Sequence, residues 1–142
     1  MSLNMSRAER EEFLAGLHVG VLGVASADGG GPLTVPVWYS YRPGGLVSMS
    51  TARDSRKARA VAAAGRLSLC AQDERPPYKY VTVEGPAVIE EISEDERREL
   101  ARRYLGQEEG DAYIASVPDS DEVVIRITPE RWLSADFGKE EA

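Results

Sequence analysis

The chain has 142 residues, 42% of them hydrophobic and 29% charged, which fits one ordinary globular domain with enough surface to bury a core. With 17 Lys+Arg against 24 Asp+Glu the formal charge is -7, so no broad basic surface is on offer to nucleic acid. A single cysteine, Cys70, excludes an internal disulfide and any cysteine-based metal cluster, and no apolar run reaches the length of a membrane span.

The N-terminus lacks a signal peptide's apolar core, so the cytoplasm is the expected compartment and no membrane partner is expected. Residues 1–5 carry no functional weight and are expected to be an added remnant or disordered. Ser6 followed by Glu9 has the form of a capping box, and Phe13, Leu14 and Leu17 give the helix it opens an apolar side. His18 to Ala27, with Val19, Val21, Leu22 and Val24, reads as a strand. Asp28-Gly29-Gly30-Gly31-Pro32 turns the chain, and Leu33 to Tyr41 returns as the second arm of a hairpin. Arg42-Pro43-Gly44-Gly45 is a further turn, and Leu46 to Thr51 is a third strand.

A short Ala-rich helix from Ser55 to Ala64 follows, closed by Gly65. Arg66 to Gln72 and Tyr78 to Glu90 read as strands separated by Asp73-Glu74-Arg75-Pro76-Pro77. Gly85-Pro86 inside the second of these implies a bulge or sharp bend. Ser93 and Glu96 form another capping-box pattern, opening a helix whose apolar side carries Leu100, Tyr104 and Leu105 and which Gly106 ends. A helical piece over Asp111 to Ser116, a loop at Pro118 to Asp121 and a strand from Glu122 to Ile127 complete the pattern. That strand is expected to resume after Pro129, through Trp132 to Ala135. Without repeats, linkers or regular βαβ alternation, residues 1–142 are expected to form one mostly antiparallel barrel with helices at its ends.

The chemistry concentrates in Ser50 to Arg59. Between Ala52 and Gln72 the only acid is Asp54, against Arg53, Arg56, Lys57, Arg59 and Arg66. Reversed charge at a strand-to-helix junction suits a phosphate, since the open N–H groups and the dipole of a helix start both favour an anion. A solvated basic helix face is the other reading of the same residues. His18, the only histidine, and Cys70, on an apolar strand, read as structural. No Gly-x-Ser-x-Gly elbow, metal-ligand spacing or paired acid and base is present. Trp38, Tyr78 and Tyr80 place large rings near strand ends or turns, either as core or dimer contacts or as faces for a flat phosphorylated cofactor.

Val21-Leu22-Gly23-Val24, Pro36-Val37-Trp38-Tyr39, Ser55-Arg56-Lys57, Val81-Thr82-Val83-Glu84-Gly85-Pro86-Ala87, Arg103-Tyr104-Leu105-Gly106 and Trp132-Leu133-Ser134-Ala135-Asp136-Phe137 together resemble the pyridoxamine 5′-phosphate oxidase-like FMN-binding superfamily. The pattern is most similar to its actinobacterial branch that uses the deazaflavin coenzyme F420. The resemblance implies a homodimer of six-stranded antiparallel split β-barrels, with the cofactor in a groove between subunits. It implies that Ser50, Thr51, Ser55, Arg56 and Lys57 hold the phosphate, Lys57 being the best-matched position. Many relatives carry a cation where this chain has Ser55, so Arg56 or Arg53 is the expected replacement. Val37 and Trp38 are expected near the cofactor ring, and Tyr78, Lys79 and Tyr80 on the other wall.

The implied activity is F420-dependent hydride transfer to or from a small unsaturated or quinone-like molecule. An FMN-dependent oxidoreductase and a binding protein without turnover are the alternatives. Arg53, Arg56, Lys57 and Arg59 exceed what one phosphate needs and suit the anionic oligoglutamate tail of F420. The pyridoxamine-phosphate oxidases are longer and carry C-terminal substrate-phosphate residues with no counterpart here, so pyridoxal phosphate is not the expected product.

Overall fold

A computed structural model describes residues 2–117 and 121–141. Four helices and eight strands follow the chain as α1 (Arg7–Ala15), β1 (Gly20–Val24), β2 (Leu33–Val37), β3 (Ser40–Tyr41), β4 (Val47–Ala52), α2 (Arg56–Ala64), β5 (Arg66–Asp73), β6 (Lys79–Glu91), α3 (Glu94–Leu105), α4 (Gln107–Ser116), β7 (Glu122–Ile127) and β8 (Arg131–Asp136), with a closing 3-10 turn over Phe137–Glu141. Every strand pairing among the described residues is antiparallel. The sheet runs β2-β1-β5-β6-β7-β4-β3, with β8 on the free side of β6. This curled half-barrel is the split barrel expected from the sequence; the strand expected over Leu33 to Tyr41 is broken in two, and the last strand stops at Ile127 and resumes at Arg131, as expected.

Both breaks have local causes. The strand expected over Leu33 to Tyr41 stops at Val37 because α3 captures the backbone of Tyr39. Its N–H donates to Tyr104 Oη at 3.0 Å and its carbonyl accepts from Arg103 Nε at 3.0 Å. Those groups are then satisfied without a strand partner. The second break divides β7 from β8 where the chain crosses β6: Thr128 N–H donates to Pro86 O at 3.0 Å and Glu130 N–H to Glu84 O at 2.9 Å.

That crossing gives Gly85-Pro86 its role. Strand β6 stays continuous through the pair, but its partners change from β5 and β8 before it to β7 after it. A Cβ on Gly85 would stand 1.8 Å from Thr128 O, so only glycine admits the crossing segment.

Alternation along the strands turns Leu22, Val24, Val47, Met49, Leu69, Val81, Val83, Ile125 and Ile127 into one core. Helix α1, with the full Ser6–Glu9 capping box, closes one end by burying Leu14. Tyr39 Oη donates to Leu14 O at 2.6 Å beneath it, and burial raises the pKa of that phenol. At α3 the expected box is half made. Ser93 Oγ accepts from Glu96 N–H at 3.1 Å, but the Glu96 carboxylate goes to Arg126 through two bonds of 2.8 Å.

Residues 2–5 pack against the last strand. Met5 is buried, its N–H donates to Ser134 Oγ at 3.0 Å, and Asp136 N–H donates to Leu3 O at 2.8 Å. Helix α4 begins four residues earlier than the piece expected from Asp111, while β7 has the expected bounds. Cys70 is half-buried on β5. Of the expected loop at Pro118 to Asp121, residues 118–120 lie outside the described residues. No helix of the described residues is long and apolar enough to cross a membrane.

Candidate functional site

The β4–α2 junction assembles most of the polar residues singled out above. Alternation on β4 sends Met49 and Thr51 inward and leaves Ser48 and Ser50 on the outer face. Ser55, in extended conformation, caps α2 by accepting from Ala58 N–H at 3.1 Å. Its hydroxyl also meets Thr51 Oγ1 at 2.9 Å. Arg59 N–H is taken by Ser55 O at 3.1 Å, which leaves the N–H groups of Arg56 and Lys57 as the open pair at the helix start.

The cations of this segment divide by partner. Arg53 is withdrawn from the site: Nη2 donates to Glu91 Oε2 and Nε to Asp121 Oδ1, each at 2.8 Å. Both bonds hold the guanidinium charged, and Arg53 holds the Glu91 carboxyl below its usual range. Arg53, one of the two replacements expected for a cation at Ser55, is thus paired with carboxylates in this structure. Arg56 and Lys57 have no ion-pair partner among the described residues, and Arg59 bonds only to the Asp54 carbonyl. Arg56 and Arg59 border a notch of about 170 Å³ against the β1–β2 turn at Ser26, Ala27 and Asp28. Lys57 points roughly 100° further round α2 and is half-buried.

Thr51 and Ser55 thus meet through their hydroxyls, with Arg56 and Lys57 next in the chain at the start of α2, while the Ser50 hydroxyl opens on the opposite face of β4. Val37 is a core residue with 7% exposure, so its side chain is not available to line a groove. Trp38 leaves the sheet and stacks on Tyr104 at 4.9 Å and 5° from parallel, with Tyr113 tilted against it at 6.3 Å. Tyr80 stands on the outer face of β6 with Tyr78, just before the strand, 5.9 Å away, and Phe137 stacks on Tyr78 at 5.7 Å. Lys79, between them, faces the other way. No hydrogen bond, ion pair or ring contact links these three groups to one another among the described residues.

Sequence reasoning reads Tyr104 as part of an apolar helix side and does not single out Phe137 or the outer cleft under α3. The Tyr104 hydroxyl accepts from Tyr39 N–H and donates to His18 O at 2.7 Å, so it fixes the plane on which Trp38 rests. Its nearness to Trp38 in space has no counterpart in chain spacing. His18 is structural: Nε2 lies 3.0 Å from Phe13 O, the ring stacks on Phe13 at 4.4 Å, and burial pushes its pKa down. No group of three His, Cys, Asp or Glu side chains among the described residues is placed to hold a metal ion.

The outer face of β2, β1, β5, β6 and β8 carries an uncharged row. Pro36 faces Val21, Val21 faces Cys70, Cys70 faces Thr82, and Thr82 faces Leu133. Val21 is 39% and Leu133 59% exposed, an unusual display of apolar surface on a sheet. Tyr80 stands on the same face of β6 as Thr82, next to Tyr78 just before the strand.

Comparison with known proteins agrees with this architecture. Conserved hypothetical protein Rv2991 from Mycobacterium tuberculosis superposes with a TM-score of 0.81 at 26% identity, covering 99% of this chain and 91% of its own. The structure of an F420 reductase gives 0.70 at 22% identity, covering 87% and 94%. A FAD-binding protein from Mesorhizobium loti gives 0.66 at 21% identity, covering 92% and 93%. No curated protein matches the chain. The pyridoxamine 5′-phosphate oxidase family model matches residues 6–135, nearly the whole of the chain, which therefore belongs to that family of flavin-binding oxidoreductases.

Proposed function

We propose that the protein is an F420-dependent oxidoreductase acting on a small unsaturated or quinone-like molecule as a homodimer. One observation carries the reading: Arg56 and Lys57, with no carboxylate partner among the described residues, flank two open helix-start N–H groups beside the Thr51 and Ser55 hydroxyls. Charged donors, oriented N–H groups and hydroxyls are the donor set that a phosphate requires. Lys57 and Arg56 hold the phosphate, Ser55 and Thr51 shape its seat, and Arg59 extends positive charge along α2 towards an anionic tail.

When bound, the deazaflavin supplies or accepts a hydride at its ring carbon. The chain's own task is to bind, orient and exclude water. Trp38, locked by Tyr104, offers a flat face, and Tyr78 and Tyr80 offer another on the opposite part of the sheet. A second copy laid on the uncharged row from Pro36 to Leu133 supports a groove in which groups from two chains meet. It also removes Val21 and Leu133 from water.

FMN is the second reading. It is favoured by the withdrawal of Arg53, which reduces the surplus of charge that distinguishes F420. Titration of the purified protein with each cofactor separates the two, and FMN binding far more tightly than F420 overturns the leading reading. Reduced F420 that no member of a broad enone and quinone panel reoxidises favours a binding protein without turnover.

A further inference from the structure

A cleft of about 730 Å³ lies between α3 and the outer face of β3, β4 and β7, on the other side of β4 from Thr51 and Ser55. Its size is within the range of roughly 300–1,000 Å³ typical of small-molecule sites. The floor is buried and chemically closed. Arg126 lies flat on it, with Nη1 donating to Ser48 Oγ at 2.9 Å, two bonds of 2.8 Å to Glu96, and Nε donating to Glu90 at 2.6 Å. That guanidinium has no charge left to offer a ligand.

The other end differs. Arg103 is held by carbonyls alone: Nε donates to Tyr39 O at 3.0 Å, and Nη2 donates to Ala15 O at 3.1 Å and Gly16 O at 2.6 Å. Carbonyls fix its position without cancelling its charge, and Nη1 has no acceptor among the described residues. Arg42, on the same rim just after Tyr41, also has no ion-pair partner among them. Glu99, one turn before Arg103, and Asp95 also line the cleft, and Glu11 holds the turn after Arg42 through Gly44 N–H, but none of these carboxylates pairs with Arg103 or Arg42 among the described residues, so both guanidiniums keep donors open to the cleft. Leu46, 45% exposed, and Leu100 form an apolar wall between the ends, and the Ser50 hydroxyl opens onto the same space.

We propose that this cleft is a second ligand site, separate from the cofactor cradle, for a small organic carboxylate with an apolar body. The carboxylate meets Arg103 and Arg42, and the body lies on Leu46 and Leu100. Ser50, assigned to the phosphate by resemblance, belongs by its direction to this site.

Calorimetric titration of the full chain with phenylacetate, indoleacetate and octanoate, each paired with its neutral amide, tests the proposal. Saturable binding of an acid with roughly tenfold weaker binding of its amide is expected, because a charge-assisted contact is lost. Leu46→Glu, at an exposed position, should abolish the binding, and Arg42→Gln should weaken it several-fold. Lys57→Ala should leave it unchanged. No saturable binding of any of the acids, equal binding of acid and amide, or loss with Lys57→Ala but not Leu46→Glu would each overturn the proposal. F420 and FMN titrations of Leu46→Glu test the cofactor reading separately, because that residue has no part in the cradle.

Discussion

The rings of Trp38 and Tyr104 lie 4.9 Å apart and 5° from parallel, and the Tyr104 hydroxyl is tied to the backbone of Tyr39 and His18. One residue of α3 therefore sets both the end of β2 and the attitude of the ring that follows it. Tyr104→Phe keeps the stack and loses the hydroxyl, leaving Tyr39 N–H without an acceptor. Urea unfolding should show a loss of about 1–3 kcal/mol. Tyr104→Ala should cost about 3–5 kcal/mol and change the Trp38 emission spectrum, which Tyr104→Phe should leave in place.

Lys57 and Arg53 are four residues apart and should behave oppositely. Lys57→Ala should weaken cofactor binding by about 1.5–3 kcal/mol, the loss of a charged hydrogen-bond donor. Arg53→Ala should leave affinity nearly unchanged, because its guanidinium serves Glu91 and Asp121. Parallel titrations of the two variants check this, and a larger effect at Arg53 would show that the cradle is misassigned.

The same pair shows what sequence can and cannot carry. The Ser6–Glu9 box, the Ser55 cap and the Gly65 stop depend on neighbours a few residues away, so their residue types announce them. The partners of Arg53 stand 68 and 38 positions away in the chain, and no local pattern distinguishes it from Arg56 or Lys57. Glu96 fails as a capping residue for a similar reason, because Arg126 arrives from β7, 30 positions on. Val37 is ambiguous in sequence because a strand's alternation fixes two faces without saying which one is inside. Tyr39 then ends its strand through side chains of α3, a tertiary capture that strand propensity cannot register.

The uncharged row on the outer sheet face predicts assembly. Leu133→Glu places a charge at a 59% exposed position, where folding should be unaffected. In the proposed dimer that charge is buried without a partner, which association does not tolerate. Sedimentation should show the wild type as a dimer and the variant as a monomer with weakened cofactor binding. A wild type that sediments as a monomer at all concentrations would remove the shared groove.

Gly85 is the fold's narrowest crossing. An added Cβ meets Thr128 O at 1.8 Å, and a backbone oxygen held by the β7–β8 crossing cannot step aside as a side chain would. Gly85→Ala should therefore destabilise the protein by about 3 kcal/mol or more, at the upper end of overpacking effects. Gly23→Ala, whose added methyl would meet no atom within 4 Å, serves as the control that separates crowding from the loss of glycine itself. Similar losses in the two variants would show that crowding at Thr128 is not the cause.

His18 gives the molecule a defined acid sensitivity. Burial against Phe13 pushes its pKa below the reference value of 6.5, so the unfolded chain takes up a proton before the folded one does. Stability is then fully present above about pH 6.5 and falls as the pH drops towards the lowered folded value. His18→Gln, which keeps a donor for Phe13 O but does not titrate, should flatten that part of the profile. Thermal unfolding of both proteins between about pH 8 and about pH 5 measures the difference. If the two midpoints change in parallel over that range, the sensitivity belongs to groups other than His18.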